Sequence, residues 1–110
     1  MNVVKTIFID RRAEKEFKKC TRQIQLKFQA LFEILEQDGR LEEPFGKKLS
    51  GRENLFEIRV KYQGQWRALY AYMDKDLIVI LSVFGKKTQK TPISELEKAE
   101  KRLGDYKENI

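Results

Sequence analysis

Apolar and polar positions recur with two different periods along this chain, and the changes of period mark out its elements. Residues 3–9, Val-Val-Lys-Thr-Ile-Phe-Ile, are rich in β-branched and aromatic side chains and predict a first strand. Asp10 follows as a candidate N-cap, after which Ala13, Phe17 and Cys20 recur at helical spacing. Thr21 offers a restart, and Ile24, Phe28, Leu31, Phe32 and Leu35 carry the stripe on to Asp38-Gly39. Two helices, or one broken helix, therefore follow the strand. Residues 40–52 contain Pro44, Gly46 and Gly51 among several charges, which predicts a loop of about 13 residues.

Three strands come next, Leu55 to Lys61, Gln65 to Met73 and Leu77 to Phe84, joined by Tyr62-Gln63-Gly64 and by Asp74-Lys75-Asp76 as antiparallel hairpins. The first two alternate. The third is apolar at almost every position, as expected of a strand covered on both faces. Thr91-Pro92 then supplies an N-cap with Pro at the first helical position, and Ile93, Leu96, Ala99, Leu103 and Tyr106 form the stripe of a closing helix. The predicted fold is α+β, a four-stranded antiparallel-type sheet in β-α-α-β-β-β-α order. The length, 110 residues, suits one domain over 1–110.

The register of the first hairpin places the candidate chemistry. A three-residue connection with Gly64 in the left-handed position pairs Lys61 with Gln65 and sets Arg59 opposite Arg67. Glu57 and Lys61 share that face, while Phe56, Ile58, Val60, Trp66, Ala68, Tyr70 and Tyr72 fall on the other, which is the core side. Two facing arginines repel unless an anion lies between them. They serve either an acidic partner segment or a phosphate, to which Arg presents a planar fork of donors. The third strand runs out into Gly85-Lys86-Lys87-Thr88-Gln89-Lys90, which can bring three lysines to the same sheet.

Composition narrows the chemistry. Histidine is absent, which removes the commonest general base and transition-metal ligand, and Asp74 and Asp76 read as a hairpin turn rather than a metal site. No metal or cofactor is expected. Cys20 is the lone cysteine and falls on a helical apolar stripe, as a buried thiol would. No apolar run approaches the roughly 20 residues of a membrane span, and residues 1–9 lack the pattern of an export signal, so a cytoplasmic location is expected. The 23 Lys and Arg against 17 acidic residues give a net charge of +6, a balance that favours polyanionic partners.

Leu55-Phe56-Glu57-Ile58-Arg59, Trp66-Arg67-Ala68-Leu69-Tyr70, the string Phe84-Gly85-Lys86-Lys87-Thr88-Gln89-Lys90-Thr91-Pro92, and a closing helix with Ala99 and Arg102 together resemble the phage-derived, HigB-like branch of the RelE/ParE toxin superfamily. The resemblance covers essentially the whole chain. It implies a RelE-like, microbial ribonuclease-like fold in the toxin of a two-gene toxin–antitoxin module. The implied activity is ribosome-dependent, metal-independent cleavage of mRNA, the ribose 2′-hydroxyl attacking the adjacent phosphate and inhibiting translation. The alternatives within the superfamily are a ParE-like inhibitor of DNA gyrase and an inactive antitoxin-binding homologue. By position, Arg67 matches the strand arginine placed on the scissile phosphate, Arg59 a basic position on the preceding strand, and Lys87 or Lys86 the basic position after the last strand. Glu57 stands where some relatives carry a basic residue; it reads either as a base or as an ordinary exposed glutamate. The His or Tyr used for proton transfer by several members has no counterpart near Thr88 to Thr91, and Tyr70 and Tyr72 read as core. Lys47, Lys48, Lys61 and Lys90 are candidate contacts to RNA and the ribosome. The implied partners are an antitoxin, expected to be a helix-turn-helix protein, the ribosome and mRNA.

Overall fold

The computed structural model describes residues 4–87 and 90–108; Val3 of the predicted first strand and Thr88-Gln89 of the basic segment lie outside the described residues. Eight elements follow in order: β1 (Thr6–Ile9), α1 (Arg11–Lys18), α2 (Arg22–Asp38), β2 (Gly46–Lys48), β3 (Phe56–Lys61), β4 (Gln65–Asp74), β5 (Leu77–Lys86) and α3 (Ile93–Glu108). Asp10 caps α1, its side chain accepting from the N–H groups of Arg12 and Ala13. Thr21 caps α2 by accepting from Ile24, so the stripe belongs to two helices. Gly39, at φ 79°, ends α2 in the left-handed conformation that costs glycine least.

The sheet has five strands in the order β1-β5-β4-β3-β2, one more than the sequence pattern predicts. The added strand comes from the predicted loop, where residues 46–48 pair antiparallel with β3. Three residues are too few to show an alternating pattern, so only the pairing defines them. The sheet is mixed, because β1 runs parallel to β5. Elsewhere the expected register holds: Arg59 lies opposite Arg67 and Lys61 opposite Gln65. Gly64 is at φ 126° and Gln63 at φ 48° in the connecting turn.

Each face of the sheet carries a core. On one, α1 and α2 pack Ala13, Phe17, Ile24, Phe28, Phe32 and Leu35 against Ile58, Val60, Ala68, Tyr70, Ile78 and Ile80. Cys20 and Tyr70 are buried there as expected, and the half-buried Tyr72 packs against them, its hydroxyl donating to the Gly39 carbonyl at 2.6 Å. On the other face, α3 sets Ala99 and Leu103 on Leu55, Leu69, Ala71, Val79 and Leu81. That second core covers only part of its face, and the remainder carries the charged residues.

The helices also meet around β5. Glu16 of α1 accepts from the Val83 N–H at 3.0 Å, and Arg102 of α3 donates to the Leu81 carbonyl at 2.8 Å. The two side chains pair with each other through both nitrogens of the fork, at 3.0 Å each. Because β1 pairs only with residues 77–80 of β5, this clasp satisfies backbone groups that a longer edge strand would otherwise hold.

Candidate active site

Beyond the second core, three cations from neighbouring strands gather on the α3 face of the sheet: Arg59 of β3, Arg67 of β4 and Lys86 of β5. Among the described residues one carboxylate, Glu57, stands close to both arginines. Arg67 and Lys86 are buried, at 6% and 7% exposure, and Arg59 is about a third exposed.

Glu57 corrects the sequence expectation. It is 1% exposed, not an exposed strand glutamate, because the start of α3 folds over its end of the sheet. Its Oε1 lies 2.9 Å from Arg67 Nε and accepts the Thr91 hydroxyl at 2.7 Å; its Oε2 lies 3.4 Å from Arg59 Nε. Thr91, expected as a helix cap, thus turns its hydroxyl into the sheet, and the α3 helix begins at Ile93 with first-turn N–H groups of Glu95 and Leu96 on the Pro92 carbonyl.

The Arg67 guanidinium is held on several sides. Nη1 donates to the Trp66 carbonyl at 3.0 Å and Nη2 to Gln65 Oε1 at 2.6 Å. Trp66 is fixed in turn, its indole N–H donating to the Tyr62 carbonyl at 3.2 Å and its ring lying over Gly85, where an added Cβ would stand 3.0 Å from the ring. Burial pulls the Arg67 pKa down, Glu57 opposes that, and Arg59 adds to it. Burial likewise lowers Lys86, with Arg67 and then Arg59 repelling its proton against the pull of Glu57. Each of these cations is therefore stabilised by any further negative charge that arrives.

The remaining candidates surround this cluster unevenly. Lys47 of β2 lies opposite Glu57, on the cluster's face, and is exposed. It joins Arg59, Lys90, Leu49 and Leu96 around a concavity of about 370 Å³ whose walls include Glu57 and Thr91. Lys61 is exposed at the end of β3, two residues from Arg59 on the same face, and Lys87 is exposed just past β5. Lys48 is the exception: it pairs with Phe56, which packs on the α1–α2 core, so it points to the opposite face from Arg59. Asp74 and Asp76 form the expected turn, the Asp76 N–H donating to Asp74 Oδ1 at 2.8 Å. Among the described residues no group of three or more His, Cys, Asp or Glu could hold a metal ion.

Sequence reasoning missed Gln65, Trp66 and Thr91 as supports of the arginines. Gln65 and Trp66 were legible in principle, since they flank Arg67 in a hairpin whose register was readable. Thr91 was not, because its contact to Glu57 spans 34 residues.

A family model described as phage-derived protein Gp49-like matches residues 15–104. Among curated proteins nothing matches. Among solved structures, a double mutant of the Escherichia coli toxin RelE in the free state is 25% identical over 90% of this chain and 97% of that one, with a TM-score of 0.70. The RelBE2 toxin–antitoxin complex of Mycobacterium tuberculosis is 25% identical over 76% of this chain and 100% of the matched one, at a TM-score of 0.59. The archaeal RelE–RelB complex of Pyrococcus horikoshii, at 23% identity over 74% and 94% of the two chains and a TM-score of 0.59, shares the fold.

Proposed function

This chain belongs to the Gp49-like family of phage-derived proteins and, through it, to the RelE-like toxins; from that membership we propose that it is the toxin of a toxin–antitoxin pair and cleaves mRNA on the ribosome. The observation that supports the nuclease reading is the gathering of positive charge in a largely buried cluster, Arg59, Arg67 and Lys86, where the two arginines share the carboxylate of Glu57. Desolvated charge of one sign is costly, and an arriving phosphate offsets it. A phosphate that gains charge during reaction offsets it further, which is the condition for stabilising a transition state more than a ground state.

In this reading the ribose 2′-oxygen attacks the adjacent phosphorus, the bond to the 5′-oxygen breaks, and the products end in a 2′,3′-cyclic phosphate and a 5′-hydroxyl. Arg59 steadies the charge on the phosphoryl oxygens directly, and the buried Arg67 adds its positive charge from behind. Glu57 holds the arginines rather than taking the proton, because both its oxygens are engaged by protein groups. Lys86 is the group suited to proton transfer: it lies in the cluster, and burial and Arg67 ease its deprotonation. Lys47, Lys61, Lys87 and Lys90 grip the RNA backbone and the ribosome. The partner that silences the toxin carries an acidic or amphipathic segment suited to the basic face, together with a helix-turn-helix DNA-binding part.

Expression of the chain in a bacterial host, with mRNA ends mapped after induction, tests the reading. Growth arrest with cuts inside translated frames, relieved by co-expressing the neighbouring open reading frame, is expected. Arrest with intact mRNA and loss of DNA supercoiling would transfer the chain to the gyrase inhibitors, and unhindered growth would remove the toxin assignment.

A further inference from the structure

Among the described residues three protein groups contact the Glu57 carboxylate, and they differ in kind. Arg67 Nε lies 2.9 Å from Oε1, yet it has no hydrogen-bond partner among the described residues, so this contact is an ion pair without a directed bond. Arg59 approaches Oε2 through Nε and Nη2 at 3.4 Å, beyond the roughly 2.7–2.9 Å of a strong charge-assisted bond. Of the three contacts, the one from Thr91 is both short, at 2.7 Å, and directed. A carboxylate turns easily about its last torsion, and the undirected ion pair from Arg67 with the long bonds from Arg59 holds its orientation only loosely. The short bond from Thr91 holds it more tightly.

From this contrast we infer that Thr91 is a positioning residue for the arginine pair. Its buried hydroxyl, 8% exposed, fixes the rotation of Glu57, and Glu57 in that orientation sets where Arg67 and Arg59 hold their guanidinium groups. The placement of Thr91 explains why this is the residue that does so. It is the last residue before Pro92 and α3, and α3 is anchored at its far side by Arg102 on Glu16 and Leu81. The hydroxyl is therefore delivered to Glu57 by a helix seated on the sheet rather than by a free loop. The consequence for rate rests on the nuclease reading; the geometric claim does not.

The test compares Thr91→Val, which keeps the shape and loses the hydroxyl, with Thr91→Ser, which keeps the hydroxyl and loses the methyl. Two quantities are followed in the whole protein. The first is the NMR signal of the Arg67 and Arg59 Nε–H groups. Wild type and Thr91→Ser should give the same shifts and slow exchange with water, and Thr91→Val should shift both signals and exchange faster. The second is cleavage of ribosome-bound mRNA, where Thr91→Val should lose about 10- to 100-fold in kcat, with KM changed less than about threefold, as displaced positioning groups do. Unchanged arginine signals in Thr91→Val would overturn the inference whether or not the protein cuts RNA. So would a serine variant as impaired as the valine variant. A wild type that fails to cleave would overturn the nuclease reading alone, and the NMR comparison would still decide the role of Thr91.

Discussion

At the scale of single residues, burial separates what Arg67 and Arg59 contribute. Arg67 lies in a buried ion pair, so Arg67→Ala leaves the Glu57 carboxylate buried beside a lost partner, which costs about 3–5 kcal/mol of stability. The same variant should lose about 100- to 1000-fold in cleavage rate, the worth of one preorganised donor. Urea unfolding alongside single-turnover rates checks both, and a variant as stable as wild type would contradict the buried pair. Arg59 is the cleaner probe because it is partly exposed. Arg59→Ala should keep the wild-type melting temperature within a few degrees while cleavage falls about 100-fold; an unchanged rate would take Arg59 out of the site. The facing of these two arginines was legible from the three-residue turn before β4 and the two-residue period of strands. The burial of Glu57 was not. It depends on Thr91 arriving from a segment 34 residues away, and no local pattern encodes that approach.

Among the elements, α3 does more than cover a core. Arg102 joins it to α1 through Glu16 and to β5 through the Leu81 carbonyl, so Arg102→Ala removes several charge-assisted bonds at once. Each such bond is worth about 1.5–3 kcal/mol, so even the net loss of one should lower the melting temperature by roughly 10 °C. A shift under 2 °C would show that the clasp is ornamental to stability. A further anchor of α3 is Tyr106, whose hydroxyl donates to Asp10 Oδ2 at 2.6 Å. Burial and this bond push Tyr106 up to about 12. For Asp10, burial alone would raise the carboxyl, but Arg12, Tyr106 and the Ala13 and Arg12 N–H groups outweigh it and bring it down to about 2. A folded value below the ordinary 3.8 means that the folded state favours the carboxylate. The stabilisation, about 2 kcal/mol, is complete above about pH 4 and is lost as pH falls through 2. Unfolding free energies measured from pH 5 to pH 2 should decline more steeply in wild type than in Asp10→Asn, and parallel curves would refute the account. The Asp10 and Thr21 caps were readable from residue type and position, whereas β2 was not, since an edge segment holding a Gly and two Lys becomes a strand only when β3 is there to pair with it.

For the whole molecule, the two-faced sheet explains why a net charge of +6 translates into a site. α1 and α2 cover one face, α3 covers part of the other, and the charged end beyond it gathers the partly exposed Arg59 with the buried Arg67 and Lys86, Lys47 standing at the rim. On the nuclease reading, charge at the rim acts by counterion release and charge in the cluster acts on the reacting phosphate, so the two separate by salt. Lys47→Ala should weaken ribosome binding and reduce the slope of log affinity against log salt by about one, leaving the single-turnover rate at saturation within about twofold. Composition suggests the polyanionic partner proposed above, but only the seating of α3 shows which part of the charged face stays open. The central claim is that this open end breaks RNA through the 2′-hydroxyl, and the most direct measurement is single-turnover cleavage of mRNA on programmed ribosomes with the fragment ends identified. The account expects a 2′,3′-cyclic phosphate on the upstream fragment, a 5′-hydroxyl on the downstream one, and no cut when the nucleotide at the cleavage position lacks its 2′-hydroxyl. Cleavage of that 2′-deoxy substrate at the same position, or intact mRNA with the wild-type protein, would contradict it.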